Sequence, residues 1–448
     1  MSNPLSPSLI SYQAATEAFR TGQDTPRAFL ERSIERLDAL EPRLHAFAAL
    51  SLARARIAAD AATARWRDGR SLSRIDGMPV GIKDIIETFD MPTGMGSPTH
   101  DGNQSLRDAA TVFALRDSGA AVLGKTKTTE FAGGYATDTR NPYDVERTAG
   151  GSSAGSASAV GAGILPVALG TQVIGSVLRP AGFCGAFGYK PTFGAINRGG
   201  SHDFHSHSCI GVIGASLADI WCTTYEMVQR CGGDPGEPGL FGAQELAMPI
   251  KPKRLIQLET PGWEMATTEA RQQLEAKLSA LSGAGIEIIS RQNNKQVEAL
   301  EKSLIGILQF GYDIIGYESR WPLKSVAYRD RLGLSPGVLD QIVKSDALGL
   351  DGYRDLLKRR SALRAEFEQL ASTVDAFITL DALGAAPKGI THTGNASFNV
   401  PASVLGTPAL TLPVFSDEGM PLGLQLIGRQ HHDAKLFATA GWVLGTGR

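Results

Sequence analysis

Two serines in glycine-rich surroundings are the residues of this chain best suited to chemistry. Ser152 lies in the segment 150–153, Gly-Gly-Ser-Ser, and Ser176 follows Gly175. Glycine lets a backbone approach a ligand closely, and a serine hydroxyl can attack a carbonyl carbon or carry a proton. The pattern therefore predicts acyl transfer, in which a serine accepts the acyl group of a substrate.

A serine nucleophile needs a base, and Lys83 is the candidate that the sequence offers. No histidine lies near Ser176 in the chain, whereas Lys83 ends the apolar run Val80-Gly81-Ile82. Burial in such a run lowers the pKa of a lysine, because desolvation disfavours the charged form. The alternative is a structural lysine that forms an ion pair with Asp84 or Glu87.

The loop before Ser176 can supply the other requirement of acyl transfer, which is stabilisation of a negative oxygen. It runs from Gly170 to Gly175 and follows the apolar run 157–169, which must be buried. Consecutive backbone N–H groups in a tight loop can point at a developing oxyanion, and this is often the largest catalytic contribution. We therefore expect the loops at both ends of the apolar run to be held in place.

Two familiar patterns compete for this part of the chain. Residues 119–126 match the phosphate-loop pattern G-x-x-x-x-G-K-[ST], but a helix rather than a strand is predicted before them, which disfavours nucleotide binding. Residues 151–155 match the G-x-S-x-G elbow of α/β-hydrolases, with Ser153 as the nucleophile. Ser153 stays an alternative because that fold needs a later histidine. The later histidines are His392, His431 and His432.

A histidine-rich loop contains His202, Asp203, His205 and His207. Their spacing fits no standard zinc pattern, and no second cluster of ligands completes it. We predict a polar loop here, with a substrate contact as the alternative, and we predict neither a metal nor a cofactor for this protein.

The composition is typical of a soluble globular protein. The 448 residues are 42% apolar and 20% charged, with a formal net charge of −2, so neither disorder nor nucleic-acid binding is predicted. The beginning of the chain lacks the pattern of a signal peptide, and no apolar stretch is long enough to span a membrane. The four cysteines form no C-x-x-C pair, which favours reduced thiols and a cytoplasmic location.

The serines and Lys83 need a framework, and the chain alternates short strands with helices. Residues 8–66 are predicted to be helical, with one helix that begins at Pro26 and a second over 43–67. Alternation beyond this region is typical of an α/β fold with a largely parallel sheet. The predicted elements there are strand 78–84, helix 109–118, strand 120–124, helices 265–283 and 354–372, and strands 407–413 and 422–428.

Taken together, these motifs resemble the amidase signature family over about residues 60–440. The segments that carry the resemblance, besides Lys83, Ser152 and Ser176, are 77–84, 124–126, 130–131, 141–142, 150–153, 170–171, 175–176, 183–185, 190–192, 406–409, 421–428 and Asp433. The resemblance implies an α/β amidase signature fold, with a large, mixed, mostly parallel twisted sheet covered by helices on both faces.

The resemblance also implies a division of the chain. The catalytic domain is expected over 71–448, with a variable substrate-specificity region near 240–390. We expect residues 1–70 to form a helical arm that packs on this domain or contacts a second copy, so a homodimer is predicted.

The resemblance further implies a Ser–Ser–Lys triad. Ser176 is the implied nucleophile, Ser152 follows a cis peptide bond and bridges the proton, and Lys83 is the base. Ser153 is implied to support this network. The implied oxyanion donors are the backbone N–H groups of Val173, Ile174, Gly175 and Ser176.

The chain departs from the common family pattern around the nucleophile. Gln172 replaces an aspartate, Ile174 replaces a glycine, and Leu178 replaces an arginine, with Arg179 one position later. Gln172 and Arg179 together resemble the malonamidase-type branch, in which the arginine binds a substrate carboxylate. Ile174 disfavours a positive φ, and its side chain is expected to narrow the pocket.

We predict an amidohydrolase that converts a small carboxamide to a carboxylic acid and ammonia or an amine. The alternatives are an amidotransferase subunit that supplies ammonia in a tRNA-charging complex, an esterase that uses Ser153, and a family member without activity. The candidate substrate-binding residues are Gly150, Gly151, Arg179, Tyr135, Phe204 and His207.

Overall fold

The structure is a computed structural model that describes residues 6–133 and 136–446. Its helices begin where capping residues occur: at the start of the second helix the Thr25 hydroxyl accepts a hydrogen bond from the Ala28 N–H, and Pro26 is the first helical residue. Among the helices of these residues, none combines the length and the apolar character that a membrane crossing needs.

The helices have the following bounds. They are α1 (Tyr12–Thr21), α2 (Pro26–Leu44), α3 (Leu52–Arg67), α4 (Ala110–Asp117), α5 (Ala154–Gly161), α6 (Leu178–Phe183), α7 (Leu217–Cys231), α8 (Thr268–Gly283), α9 (Lys295–Ser303), α10 (Ile307–Arg329), α11 (Pro336–Ala371), α12 (Val400–Leu405) and α13 (Asp433–Gly445). The strands are β1 (Phe47–Leu50), β2 (Pro79–Lys83), β3 (Ala121–Thr126), β4 (Val167–Gln172), β5 (Phe187–Lys190), β6 (Cys209–Gly214), β7 (Arg254–Gln257), β8 (Glu287–Ile289), β9 (Ala376–Leu380), β10 (Ala409–Asp417) and β11 (Met420–Ile427).

One mixed sheet carries the fold, with the strand order β1-β3-β2-β4-β6-β5-β10-β11-β9-β7-β8. Six of the ten strand pairings in the described residues are antiparallel and four are parallel. The prediction of a mostly parallel sheet is therefore wrong. One cause is the tight turn between β10 and β11, where Glu418 and Gly419 have φ of 49° and 72° and reverse the chain.

The N-terminal region differs from its prediction in one element. The helix expected over 43–67 begins only at Leu52, and Phe47–Leu50 is an edge strand that pairs antiparallel with β3. His45 has a left-handed φ of 52° and ends α2, so the chain leaves the helix before this strand. Pairing with the sheet outweighs the helical propensity of the alanines there.

The sheet buries apolar side chains on both faces. Ala121 and Leu123 of β3 belong to a cluster with residues of α2 and α5, whereas Val122 belongs to a cluster with residues of α4 and α7. Alternate residues of a strand point to opposite faces, so helices cover both sides. The central strand β2 is buried along its whole length, because parallel neighbours flank it and helices cover its faces.

Helix α5 reaches the sheet closely because it consists of small residues, all of them buried. Gly155 is the closest point: a Cβ at this position would lie 2.2 Å from the Ala46 carbonyl oxygen and 2.4 Å from the Lys127 nitrogen. This contact holds the N-terminus of α5, and with it Ser152, against the carboxyl ends of the central strands.

Candidate active site

Lys83 lies at the carboxyl end of β2 without exposed surface. Its Nζ donates hydrogen bonds to Ser152 Oγ at 2.7 Å and to Thr171 Oγ1 at 2.8 Å. Burial lowers the pKa of this amine to about 7, although the Asp203 carboxylate opposes the shift. A large fraction of Lys83 is therefore neutral near pH 7, as a general base requires.

No carboxylate of the described residues forms an ion pair with Lys83. Asp84 pairs with Lys125, with 3.1 Å between Oδ1 and Nζ, and Glu87 pairs with Arg107. The alternative of a structural ion pair at Lys83 is therefore wrong. Lys125, the lysine of the phosphate-loop pattern, is instead a structural residue within β3.

Ser152 and Ser153 lie immediately before α5. The peptide bond between Gly151 and Ser152 is cis. The Ser153 N–H donates to the Ser176 carbonyl oxygen at 3.3 Å, and Ser153 Oγ pairs with the backbone N–H and carbonyl of Thr171, each at 3.3 Å. Among the described residues no histidine contacts the buried Ser153, and a hydrolase elbow requires one.

Gln172 shapes the loop that precedes the second serine. Its Oε1 accepts hydrogen bonds from the N–H groups of Val177 and Leu178 at 2.9 and 3.0 Å, and its Nε2 donates to Ser403 Oγ at 3.1 Å. Ser403 Oγ donates in turn to the Ile174 carbonyl oxygen at 2.9 Å. A neutral amide thus holds the loop from two sides at the position where the family pattern has an aspartate.

The loop 173–176 has free backbone donors. Its four N–H groups find no hydrogen-bond acceptor within 6–133 and 136–446. The carbonyl oxygens of Ile174, Gly175 and Ser176, by contrast, all accept hydrogen bonds. Because the carbonyls are engaged and the loop lines a cavity, its free N–H groups are suited to bind an oxyanion.

Ile174 fits into this loop without the glycine of the family pattern. It is not among the described non-glycine residues with positive φ, so a β-branched side chain is tolerated. Its side chain extends toward α10, where a Cβ on Gly311 would lie only 2.8 Å from Ile174 Cδ1. The glycine is therefore on the facing helix, where it leaves room for the larger residue of the loop.

Arg179 is buried in α6 and lines the same cavity. Its Nε donates to the Thr393 carbonyl oxygen at 2.7 Å, and its Nη2 donates to the Gly151 carbonyl oxygen at 2.8 Å. Burial lowers its pKa to about 10, against the opposing effects of Tyr312 and Asp381. No carboxylate of the described segments lies within ion-pair distance, so this guanidinium is suited to bind an anion.

These groups meet at one cavity of about 690 Å³, a volume that suits a small molecule. Ser176 and Ser152 both line it and are 8% and 3% exposed. The Ser176 hydroxyl makes no hydrogen bond to any described residue, so it is free to meet a substrate. The other lining segments include 130–133, 202–205, parts of 309–348, and Thr393.

Some of the predicted substrate-binding residues line the cavity and others do not. Gly150 and His207 are buried and lie outside the cavity lining. His207 Nδ1 lies 3.3 Å from an Arg360 nitrogen, and burial, reinforced by the Arg360 charge, lowers the pKa of His207 well below its usual value. Tyr135 lies outside the described residues. The candidates that line the cavity are Gly151, Arg179 and Phe204.

The three histidines of the polar loop do not come together. His202 lies near Glu87, His205 lies near Asp203, and His207 Nδ1 lies near Arg360. Across the described residues, no three histidine, cysteine or acidic side chains are placed to share an ion.

Three residues make contacts at the site that sequence reasoning did not assign: Thr171, Gln172 and Thr393. Thr171 directly follows Gly170 in a segment of the family pattern, which was a usable signal. Gln172 was visible only as a departure from the pattern. Thr393 gave no signal, because only the folded chain brings it to Arg179.

Comparison with known proteins identifies the relatives of this chain. A family model described as amidase matches residues 28–437. The chain is 30% identical to a glutamyl-tRNA(Gln) amidotransferase subunit of Chloroflexus aggregans, over 95% of this chain and 94% of that protein. It is 31% identical to the corresponding subunit of Roseiflexus castenholzii, over 94% and 92%.

Solved structures agree with this match. A crystal structure of an amidase superposes with a TM-score of 0.83 at 28% identity, over 97% of this chain and 99% of the other. The native peptide amidase of Stenotrophomonas maltophilia superposes with a TM-score of 0.79 at 26% identity, over 97% and 96%. With its α/β fold and mixed sheet, the chain belongs to the amidase signature family.

Proposed function

We propose that this protein is an amidohydrolase that cleaves a carboxamide to a carboxylic acid and ammonia or an amine. The observation that carries the proposal is the 2.7 Å hydrogen bond from the buried Lys83 Nζ to Ser152 Oγ, because Ser152 and Ser176 line the same cavity. An amine whose pKa is about 7 can accept protons at neutral pH, and Ser176 lines the cavity that a substrate would enter.

In the acylation half of the cycle, neutral Lys83 takes the Ser152 hydroxyl proton while Ser152 takes the proton of Ser176. Ser176 Oγ attacks the amide carbonyl carbon, and the N–H groups of 173–176 stabilise the oxyanion. The carbon–nitrogen bond then breaks. Lys83 returns its proton through Ser152 to the leaving nitrogen, which departs as ammonia or an amine and leaves an ester on Ser176.

In the deacylation half, water takes the place of the amine. It loses a proton to Lys83 through Ser152 and attacks the ester carbonyl carbon, and Ser176 Oγ leaves with the proton that Lys83 returns. Every borrowed proton is given back, so the net reaction consumes one amide and one water molecule.

Two neighbours keep the base aligned in this scheme. Thr171 Oγ1 accepts the second Lys83 hydrogen bond at 2.8 Å, which orients the amine toward Ser152. Ser153 in turn bonds the Thr171 backbone. Neither hydroxyl meets the substrate in the scheme, so we regard both as positioning residues.

We further propose that the substrate carries a carboxylate close to its amide, as in the malonamidase-type branch. Arg179 Nη1 makes no hydrogen bond within the described residues, and a Cβ on Gly175 would lie 3.0 Å from it. Because glycine has no side chain, this nitrogen can lie next to the oxyanion loop, where Asn399 Oδ1 and Ala396 Cβ also approach. An anion bound there is only a few bonds from the reacting carbonyl, which favours the monoamide of a short dicarboxylic acid.

A second candidate function rests on the curated relatives. At about 30% identity they are subunits of a glutamyl-tRNA(Gln) amidotransferase, and such a role would have this chain release ammonia from glutamine within a complex. Ammonia release from free glutamine that begins only when partner subunits are added would favour this candidate. Release from simple amides by the isolated chain favours the hydrolase.

The test is a panel of amides with and without a carboxylate, assayed for ammonia. We expect turnover by the isolated protein and its loss in Ser176→Ala, while Ser325→Ala, an exposed serine on the cavity wall, keeps wild-type rates. A fluorophosphonate should modify Ser176 in the wild type. Modification of Ser153 with Ser176 untouched would contradict the assignment.

The homodimer, the helical arm over 1–70 and the cytoplasmic location stay predictions from the sequence. Sedimentation of the purified chain measures the first directly.

A further inference from the structure

A second chain of acid, imidazole and hydroxyl lines the same cavity. Asp203 Oδ1 lies 3.0 Å from His205 Nδ1, and His205 Nε2 lies 2.7 Å from Ser319 Oγ. Asp203 and His205 belong to the loop between β5 and β6, whereas Ser319 belongs to α10. All three line the cavity. None of them is hydrogen-bonded to Lys83, Ser152 or Ser176 within the described residues, although the Asp203 charge acts on Lys83 through space.

The carboxylate determines which imidazole nitrogen carries the proton. Asp203 is 3% exposed, and the hydrogen bond from His205 keeps the pKa of this carboxyl below its usual value despite burial. An ionised carboxylate only accepts hydrogen bonds, so His205 Nδ1 carries the hydrogen. In the neutral imidazole, Nε2 then presents a lone pair to Ser319, which is the arrangement of a serine, its base and the orienting acid.

The hydrogen bond of the Ser319 hydroxyl differs from those of two serines in helix α11. Serines within helices often bond the carbonyl one turn earlier, as Ser345 does with Gln341 and Ser361 does with Leu357. Within the described residues, Ser319 Oγ bonds only His205. Its hydroxyl proton is therefore given to an imidazole rather than to the helix backbone.

An aromatic wall adjoins this hydroxyl. The Phe204 ring stacks on the His205 ring, with 5.5 Å between centroids, and on the Trp321 ring, with 6.0 Å. Phe204 and Trp321 are 45% and 68% exposed and both line the cavity. A flat apolar group can stack there while its reactive bond lies at Ser319.

We propose that Ser319 is a second serine nucleophile, activated by His205 and Asp203, which accepts acyl groups from activated aryl esters. Ser319 lies inside α10, where backbone N–H groups are used by the helix, so it lacks an oxyanion loop like 173–176. Loss of one oxyanion donor costs about 10²–10³ in rate. Esters with good leaving groups are therefore its substrates, and amides are not.

The step balances without a further reactant. Ser319 Oγ attacks the ester carbonyl carbon while its proton passes to His205 Nε2, and the bond to the aryl oxygen breaks. His205 gives the proton to the departing phenolate or to water. Water then hydrolyses the new ester on Ser319 by the same route in reverse, which yields the acid and restores the hydroxyl.

The experiment uses the full chain with Ser176→Ala, so that the nucleophile proposed for amide hydrolysis cannot react. We expect an alkyl fluorophosphonate to modify Ser319, mapped by peptide mass, and p-nitrophenyl acetate to be cleaved slowly. Adding Ser319→Ala should abolish both, and adding His205→Gln should slow both about 10²-fold. Adding Ser325→Ala, a serine on the same helix and cavity wall without a histidine partner, should change neither.

Two results would overturn the proposal. One is a Ser176→Ala protein that stays unmodified at Ser319 after prolonged exposure to excess reagent. The other is a Ser319 modification rate that is equal in His205→Gln, with the melting temperature unchanged. Because the readout is an adduct on Ser319, failure of the Ser176 proposal leaves this result readable.

Discussion

Two buried lysines on adjacent parallel strands differ in their ion-pair and hydrogen-bond partners. Lys83 on β2 and Lys125 on β3 are both without exposed surface, and Lys125 is the register partner of Ile82, one residue before Lys83. Lys125 faces the Asp84 carboxylate at 3.1 Å. Lys83 faces two hydroxyls, at 2.7 and 2.8 Å.

The partner, rather than burial, separates their roles. Burial lowers the pKa of both amines, but at Lys125 the Asp84 carboxylate opposes the shift at contact distance. Hydroxyls stabilise a neutral amine as well as a charged one, so Lys83 reaches a pKa of about 7. The same residue type is therefore a structural cation at one strand end and a candidate base at the next.

The largest effect that sharpens this comparison is expected from Lys83→Met. General bases contribute up to about 10⁴-fold, so kcat for amide hydrolysis should fall by about 10⁴, whereas the free energy of unfolding should fall by only about 1–2 kcal/mol for two lost neutral hydrogen bonds. Steady-state kinetics and urea unfolding measure the two quantities. A variant that keeps wild-type kcat would remove Lys83 from the reaction.

Lys125→Met should show the opposite pattern. It leaves Asp84 buried without its cation, and breaking a buried pair costs about 3–5 kcal/mol. The free energy of unfolding should fall by that amount, while kcat of the folded fraction stays near wild type. The double variant Lys125→Met/Asp84→Asn should recover part of the stability. If Lys125→Met instead lost activity at unchanged stability, the two lysines would not be divided as argued.

The sequence predicted the burial of Lys83 and the fold class better than it predicted which side chains contact each other. The apolar run before Lys83 correctly indicated burial, whereas the close approach of a ligand to the glycines around Ser152 and Ser176 stays a prediction. The α/β class followed from the alternation of elements. These features depend on residues that are close in the sequence, and the sequence alone can therefore predict them.

Other features depend on contacts between distant segments. The pairing of Asp84 with Lys125 rather than with Lys83 depends on which face of each strand the side chain takes. The strand at 47–50 and the antiparallel pairings result from tertiary pairing that outweighs local propensity. Gly311 opposite Ile174 is the clearest case, since a compensating glycine in another helix has no local signature.

A third buried cation, Arg179, extends the comparison with a smaller effect. Unlike Lys125, Arg179 forms no ion pair with a carboxylate of the described residues. Unlike Lys83, it has a pKa of about 10 and stays charged at pH 7. We therefore expect its partner to be the substrate. A hydrogen bond to a charged group contributes about 1.5–3 kcal/mol. Arg179→Met should therefore reduce kcat/KM by about 10–150-fold more for succinamate than for butyramide, which has the same four-carbon chain without the carboxylate. Equal losses on both amides would assign Arg179 to the fold alone.

The smallest expected effect, per step, is the pH dependence of the wild type. Lys83 acts as a base only when neutral, so kcat/KM should fall about tenfold for each pH unit below about 7 and level off above it. Butyramide is the appropriate substrate, because it does not titrate and Arg179, with its pKa of about 10, stays charged throughout. Residual activity of Lys83→Met serves as the control and should be flat from pH 6 to 8. An inflection near pH 7 that survives in Lys83→Met would belong to another group. Asp381 is one such group, because burial raises its pKa to about 7. The two lysines would then differ in their packing rather than in their protonation.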